Sequence, residues 1–146
     1  MPSTHVSLHY HIVFSTKDRQ PWIAREWRDD LHRYLGGCAR TLDAKPHEIG
    51  GTDDHVHLLL GLTPVHRLAD IIREIKKVSS RWVHEKTPAF AWQEGYGGFT
   101  VSESNVDAVR RYIARQEEHH RKRPFKDEYR ELLQRHAVDF DECYLW

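Results

Sequence analysis

At 146 residues, 39% of them hydrophobic, the chain is long enough to bury one compact core and too short for two ordinary domains, so residues 1–146 are expected to form a single domain. No run approaches the roughly 18 apolar residues of a membrane span, and the N-terminus lacks the apolar stretch of a signal peptide, which predicts a cytoplasmic protein with no membrane partner. The 22 basic residues balance the 22 acidic ones, which excludes a uniformly basic nucleic-acid binder but leaves room for one basic face.

Residues 5–16 alternate Val6, Leu8, Tyr10, Ile12 and Phe14 against His5, Ser7, His9 and His11. That period of two predicts a first strand with one apolar and one wet face. From Trp22 to about Leu42, Ile23, Trp27, Leu31, Tyr34, Leu35 and Cys38 recur at helical spacing and predict an amphipathic helix, weakened by Gly36 and Gly37. Cys38 and Cys143 have no Cys-x-x-Cys spacing and read as free thiols.

A short strand over residues 47–51 and a turn at residues 52–54 lead into a second strand that carries His55 and His57, and the two strands predict a hairpin. Side chains on a strand alternate, so His55 and His57 project from one face and could share a divalent ion, while Val56, Leu58 and Leu60 turn to the core. Two histidines placed near each other by chance fit the same pattern in a chain with 12 of them. Asp53 has the parity of His55 and could orient an imidazole; a solvated turn aspartate is the alternative.

After Pro64, a second amphipathic helix is defined by Leu68, Ile71, Ile72, Ile75, Val78 and Trp82, with Arg73, Lys76, Lys77 and Arg81 on its polar side. Residues 90–101, aromatic and glycine-rich, predict a fourth strand that bends. Ser104 with Asp107 is a plausible N-cap signal for a helix over residues 106–122, where Tyr112 and Gln116 stand four apart and share a face. Pro124 then separates this helix from a last helical segment over residues 126–136, marked by Tyr129, Leu132 and Leu133. Strand, helix, strand, strand, helix, strand is a split βαββαβ unit, and predicts an α+β, ferredoxin-like antiparallel sheet with helices on one face and a C-terminal helix carrying Tyr112.

A phenol and an amide oxygen beside a two-histidine site suggest phosphoryl chemistry. Arg110, Arg111, Arg115, Arg121, Lys122, Arg123 and Lys126 crowd the region of Tyr112, while Asp139, Asp141 and Glu142 lie in the tail. A basic run is ordinarily a solvated helix face; beside a site for phosphoryl chemistry it becomes a set of phosphate contacts, for which Lys76, Lys77, Arg81, Arg111 and Arg115 are the candidates. Tyr96, Tyr129 and Tyr144 are the rival phenols. His119 and His120 are surface histidines by default, or else phosphate contacts or substitute ligands.

Several stretches carry a resemblance. Residues 10–17 read Tyr-His-Ile-Val-Phe-Ser-Thr-Lys, residues 54–60 Asp-His-Val-His-Leu-Leu-Leu, residues 76–80 Lys-Lys-Val-Ser-Ser, residues 92–99 Trp-Gln-Glu-Gly-Tyr-Gly-Gly-Phe and residues 112–116 Tyr-Ile-Ala-Arg-Gln. In this order the chain resembles the single-tyrosine HUH transposases of minimal insertion sequences, the IS200-like family. The resemblance implies that Tyr112 attacks single-stranded DNA at hairpin-marked ends and forms a 5′-phosphotyrosine, with His55, His57 and Gln116 holding Mg²⁺ or Mn²⁺. It also implies a homodimer in which the Tyr112 helix can complete the partner's site, and a cytoplasmic protein associated with the nucleoid when on DNA. A repeat-associated relative acting on dispersed genomic hairpins, a non-catalytic single-strand-binding module, and a zinc hydrolase using water as nucleophile are the competing readings.

Overall fold

The computed structural model describes residues 3–121, 123–142 and 145, so Lys122, Cys143 and Tyr144 lie outside the described residues. Its first six regular elements are β1 (His9–Ser15), α1 (Arg25–Thr41), β2 (Lys45–Gly51), β3 (His55–Gly61), α2 (Leu68–His84) and β4 (Gly97–Val101). The strands form one antiparallel sheet in the order β2-β3-β1-β4, the expected βαββαβ arrangement. Strand alternation sends Ile12, Phe14, Val56, Leu58 and Leu60 to one side, where they meet Leu31, Leu35, Ile71, Ile72 and Ile75 of α1 and α2. All five strand residues are fully buried, and each contributes about 1.5–3 kcal/mol.

The opposite face differs from the sequence expectation. The polar parity of β1 was to face water, yet His11 is buried, because three further helices close over this side: α3 (Val106–Ala114), α4 (Gln116–His120) and α5 (Phe125–Arg135). Two small cores hold them there. Leu59, Val106 and Ile113 form one, and Val13, Phe99, Phe125, Tyr129, Leu132 and Leu133 the other. Glycines set both docking distances. A Cβ on Gly50 would stand 2.4 Å from the carbonyl oxygen of Ile113 in α3, and one on Gly97 would stand 2.7 Å from the ring of Tyr129 in α5. The hidden polar parity of β1 and β3 is thus the floor of an interior site.

The predicted continuous helix over residues 106–122 is interrupted. Arg115 leaves helical geometry at φ −103° and ψ 19°, and its N–H donates to the carbonyl of Tyr112, so α4 starts afresh at Gln116. Ser104 does not cap α3: its hydroxyl pairs with that of Ser102 at 3.1 Å, and Asn105 takes the N-cap position without a side-chain hydrogen bond.

Candidate active site

His55 and His57 stand on the central part of the sheet, with β3 paired on both edges, and neither side chain is exposed. Their mounting is rigid, and further groups aim each ring. The Nδ1 of His55 lies 2.8 Å from Asp54 Oδ1 and 3.0 Å from Thr52 Oγ1. An acceptor carboxylate at Nδ1 places the ring proton there and turns the Nε2 lone pair inward. The orienting acid is therefore Asp54, not Asp53, whose side chain is exposed in the turn. Burial, the largest single influence, would raise the Asp54 carboxyl, but the hydrogen bond and charge of His55 together with Arg19 and Thr52 hold it below its ordinary range. The Nδ1 of His57 lies 2.8 Å from the Nε2 of His11, a partner that the alternation of β1 had assigned to water. Burial pushes His57 down to about 4 against the opposing pull of Glu128, and pushes His11 well below the usual imidazole range.

The helical layer supplies the other half. Gln116 is 1% exposed and presents Oε1 at 3.0 Å from His55 Nε2, while its Nε2 donates to Glu128 Oε2 at 3.2 Å. Tyr112 donates its hydroxyl proton to the same Glu128 oxygen, and its ring meets that of His57 at 5.8 Å. His55, His57, Tyr112 and Gln116, distributed over three elements, are thus brought together within one chain. Tyr112 stands against the histidines of its own chain.

Two residues at the centre had no functional reading, or only a secondary one, in the sequence. Glu128 of α5 is 2% exposed, with Oε1 at 3.1 Å from His57 Nε2 and 3.1 Å from His120 Nε2. His120, a surface histidine by default, is partly buried; its Nδ1 lies 2.8 Å from the carbonyl of Arg123 and its Nε2 3.0 Å from Gln116 Oε1. Burial would raise Glu128, but hydrogen bonds from His120, His57 and Tyr112 outweigh it and hold the carboxyl well below its ordinary range. Burial, again the largest single influence, would lower His120, and the hydrogen bond and charge of Glu128 together with the Arg123 carbonyl and Asp54 raise it instead. Burial first, then Glu128, pushes the Tyr112 phenol up. The only sequence sign of Glu128 was an acidic residue within the apolar repeat of the last helix, one residue before Tyr129.

His55, His57, His120 and Glu128 offer ligand atoms that all lie within 4.8 Å of one another. The donor set fits a metal. His55 and His120 each commit Nδ1 to an oxygen acceptor, so their Nε2 lone pairs face the point toward which Gln116 Oε1 and Glu128 Oε1 also turn. Lone pairs gathered in this way repel unless a cation sits among them.

Tyr112 borders two depressions. A cleft of about 500 Å³ is lined by His11, Phe99, Tyr112, His119, Arg123 and Glu128, among others. A shallower groove runs past Arg111, Tyr112, Arg115 and His119. His119 Nε2 lies 3.3 Å from Glu128 Oε2. Arg111 and Arg115 are exposed beside Tyr112. Lys77 and Arg81 are exposed on α2, across the sheet from the histidines. Lys76 is placed differently from a free phosphate contact. Its ammonium donates to the carbonyls of Gln93 at 2.9 Å and Gly95 at 2.6 Å and lies 5.0 Å from the Phe14 ring centre, and burial pushes it down to about 8 against Glu94. Tyr96 is half-buried beside the α1–α2 core, and Tyr129 is buried in the small core under α5.

The comparisons with known proteins bear on the family and the fold. The family model for IS200-like transposases matches residues 4–116. The ISDra2 transposase TnpA of Deinococcus radiodurans is 28% identical over 117 residues, covering 75% of this chain and 84% of that protein. A crystal structure of a candidate transposase from Deinococcus radiodurans R1, 28% identical, superposes with a TM-score of 0.65 and covers 80% of this chain and 95% of its own. The structure of a REP-associated tyrosine transposase bound to a REP hairpin, 13% identical, shares the fold with a TM-score of 0.59 over 79% of this chain and 70% of its own. Among the described residues, no helix is long and apolar enough to cross a membrane.

Proposed function

We propose that this chain, which belongs to the IS200-like transposase family, cuts and rejoins single-stranded DNA at hairpin-marked ends by transesterification through Tyr112, with residues 1–146 acting as one domain. The observation that carries the reading is the Tyr112 hydroxyl, hydrogen-bonded to a buried carboxylate that also touches His57 and His120. Any buried tyrosine hydroxyl takes a hydrogen-bond partner; what supports the reading is that this partner is a carboxylate shared with two imidazoles.

The Tyr112 oxygen attacks the scissile phosphorus, the bond from phosphorus to the 3′ oxygen breaks, and the 5′ phosphate is left on the tyrosine. Glu128 Oε2 accepts the hydroxyl hydrogen bond and orients the Tyr112 oxygen; the phenol proton passes to solvent as the bond to phosphorus forms, and the departing 3′ oxygen acquires one from solvent as a 3′-OH. Reversal by another 3′-OH attacking the phosphotyrosine reseals DNA with no outside energy source, since one phosphoester replaces another. His55, His57 and Gln116 would hold a divalent ion, Mg²⁺ or Mn²⁺ by the family resemblance, which when bound supplies Lewis acidity to a phosphate oxygen. Arg111 and Arg115 steer the strand to Tyr112, and Lys77 and Arg81 meet more distant phosphates of a hairpin. Lys76 contributes by bracing the segment before β4. The finer expectations of a homodimer and of a cytoplasmic, nucleoid-associated protein belong to the same reading.

Incubation with labelled single strands from the flanking genomic DNA and Mn²⁺ should give a covalent protein–DNA band on a denaturing gel. Tyr112→Phe should abolish that band while hairpin binding persists, because only the attacking oxygen is removed. A band that survives in the Phe variant would place the nucleophile elsewhere.

A further inference from the structure

The family match ends at Gln116, yet two of the groups that converge on the strand histidines come after it. We propose that His120 and Glu128 belong to the metal centre, completing with His55, His57 and Gln116 a site of three imidazoles and two oxygens that takes a first-row transition ion in preference to Mg²⁺, with Glu128 tying that centre to the nucleophile. The proposal deepens the metal-assisted reading above and rests on it for what the ion does, but not for whether it binds.

Spacing is the first argument. Donors bonded to one such ion at about 2.1 Å stand about 3.0 Å apart at right angles and about 4.2 Å apart when opposite. Gln116 Oε1 lies 3.0 Å from both His55 Nε2 and His120 Nε2. Glu128 Oε1 lies 3.1 Å from both His57 Nε2 and His120 Nε2, and 4.0 Å from His55 Nε2. These are the separations of neighbouring and opposed ligands on a single ion.

Direction is the second. The acceptors at the outer nitrogens, Asp54 for His55 and the Arg123 carbonyl for His120, fix both rings with Nε2 inward. Gln116 donates its amide N–H to Glu128 Oε2, which leaves Gln116 Oε1 turned to the centre. A single extra proton on His120 can satisfy the two oxygens facing that ring but leaves His55 Nε2 against Gln116 Oε1. A metal satisfies all of them at once.

Ligand type is the third. Imidazole nitrogens suit ions from Mn²⁺ to Zn²⁺, whereas Mg²⁺ is selected by carboxylate, carbonyl and water oxygens. Five protein donors leave one octahedral position for a phosphate oxygen. Glu128 then has one oxygen in the metal centre and the other on Tyr112, so charge at the ion and the hydrogen bond to the nucleophile act through one carboxylate.

The test uses the full chain without DNA. Co²⁺ is titrated in and read by its visible absorption, then competed with Mg²⁺ and with Zn²⁺. One equivalent of Co²⁺ should bind, Zn²⁺ should displace it, and Mg²⁺ in about hundredfold excess should not. Glu128→Gln, which keeps the shape of the side chain, and His120→Asn, at a less buried position, should each weaken Co²⁺ binding by at least about tenfold. Circular dichroism and thermal melting of the metal-free variants establish that they are folded, and either variant suffices if the other is not. Wild-type affinity in a folded variant, no Co²⁺ binding by the native chain, or displacement by Mg²⁺ at comparable concentration would overturn the proposal. Since no DNA chemistry enters, the fate of the Tyr112 adduct decides the functional reading separately.

Discussion

The attachment of α5 to the sheet can be tested at Phe125. Its ring is 4% exposed and stacks on His55 at 4.0 Å with an interplanar angle of 15°, and on Tyr129 at 5.9 Å and 20°. Truncating a buried Phe to Ala costs about 3–5 kcal/mol, the larger values belonging to sites that cannot collapse. This one is poorly placed to collapse. His55 is fixed by a strand paired on both edges, and Tyr129 is seated against Gly97. We therefore expect Phe125→Ala to lose about 4 kcal/mol, a large part of the roughly 5–15 kcal/mol available to a domain. For a chain of this size that lowers Tm by about 8–16 °C. Phe125→Leu keeps most of the volume and should lose only about 1.5 kcal/mol. Urea unfolding followed by tryptophan fluorescence measures both. Because Glu128 lies three residues along the same helix, adduct formation should slow in the same order. If Phe125→Ala loses less than about 1 kcal/mol and forms the adduct at the native rate, α5 does not pack on the histidines as described.

The metal-free protein should lose stability in mild acid. Burial holds His57 and His32 at about 4, and His11 well below the usual range. Folded-state values below the unfolded 6.5 mean that the unfolded chain binds more protons, so this stability is complete above about pH 6.5 and falls toward pH 4, by up to about 1.4 kcal/mol per pH unit for each histidine. The raised His120 opposes part of it, and a flat profile over that window would contradict the buried neutral histidines. Reversing charge at Arg111 and Arg115 should weaken short single-strand binding and reduce its salt slope by about 0.7 per lost phosphate contact. Reversal at Lys77 and Arg81 should weaken hairpin binding while cleavage of a short unstructured strand stays native; equal losses on both substrates would put the two patches on one path. In a mixed dimer of His55→Ala and Tyr112→Phe subunits, a site built within each chain is always broken, so cleavage should stay absent. Recovered cleavage would mean that the tyrosine helix exchanges between subunits.

The sheet and its two covering helices were legible because period two and period 3.6 are written plainly in β1, β3, α1 and α2. His55 and His57 were legible for the same reason, as strand parity alone puts both on one face. His11 was misread by that rule. Alternation states which residues share a face but not whether water or a second layer covers it, and here α3 to α5 cover it. Glu128 was illegible for a related reason. An acid among Tyr129, Leu132 and Leu133 looks like a helix's polar side until the helix is docked, and its docking depends on Gly97, in another element about thirty residues away. Asp54 was passed over for Asp53 because parity was applied in a turn, where it does not hold.

The site is divided between layers of unequal rigidity. His55 and His57 stand on a strand paired on both edges. Tyr112, Gln116, His120 and Glu128 stand on helices of 9, 5 and 11 residues, lengths that are marginal in isolation and depend on packing. The break at Arg115 falls between Tyr112 and Gln116, so the two side chains stand on separate helices that do not share one hydrogen-bond ladder. On the proposed chemistry the tyrosine carries a DNA end and later yields it to another strand, which asks more movement of Tyr112 than of the groups that set the charge at the phosphate. The carboxylate of Glu128 spans the division: its Oε1 faces the histidines and its Oε2 accepts the Tyr112 hydrogen bond. On the proposed chemistry, moving Tyr112 toward a phosphate gives up that hydrogen bond, so one carboxylate links the position of the tyrosine to the charge at the histidines.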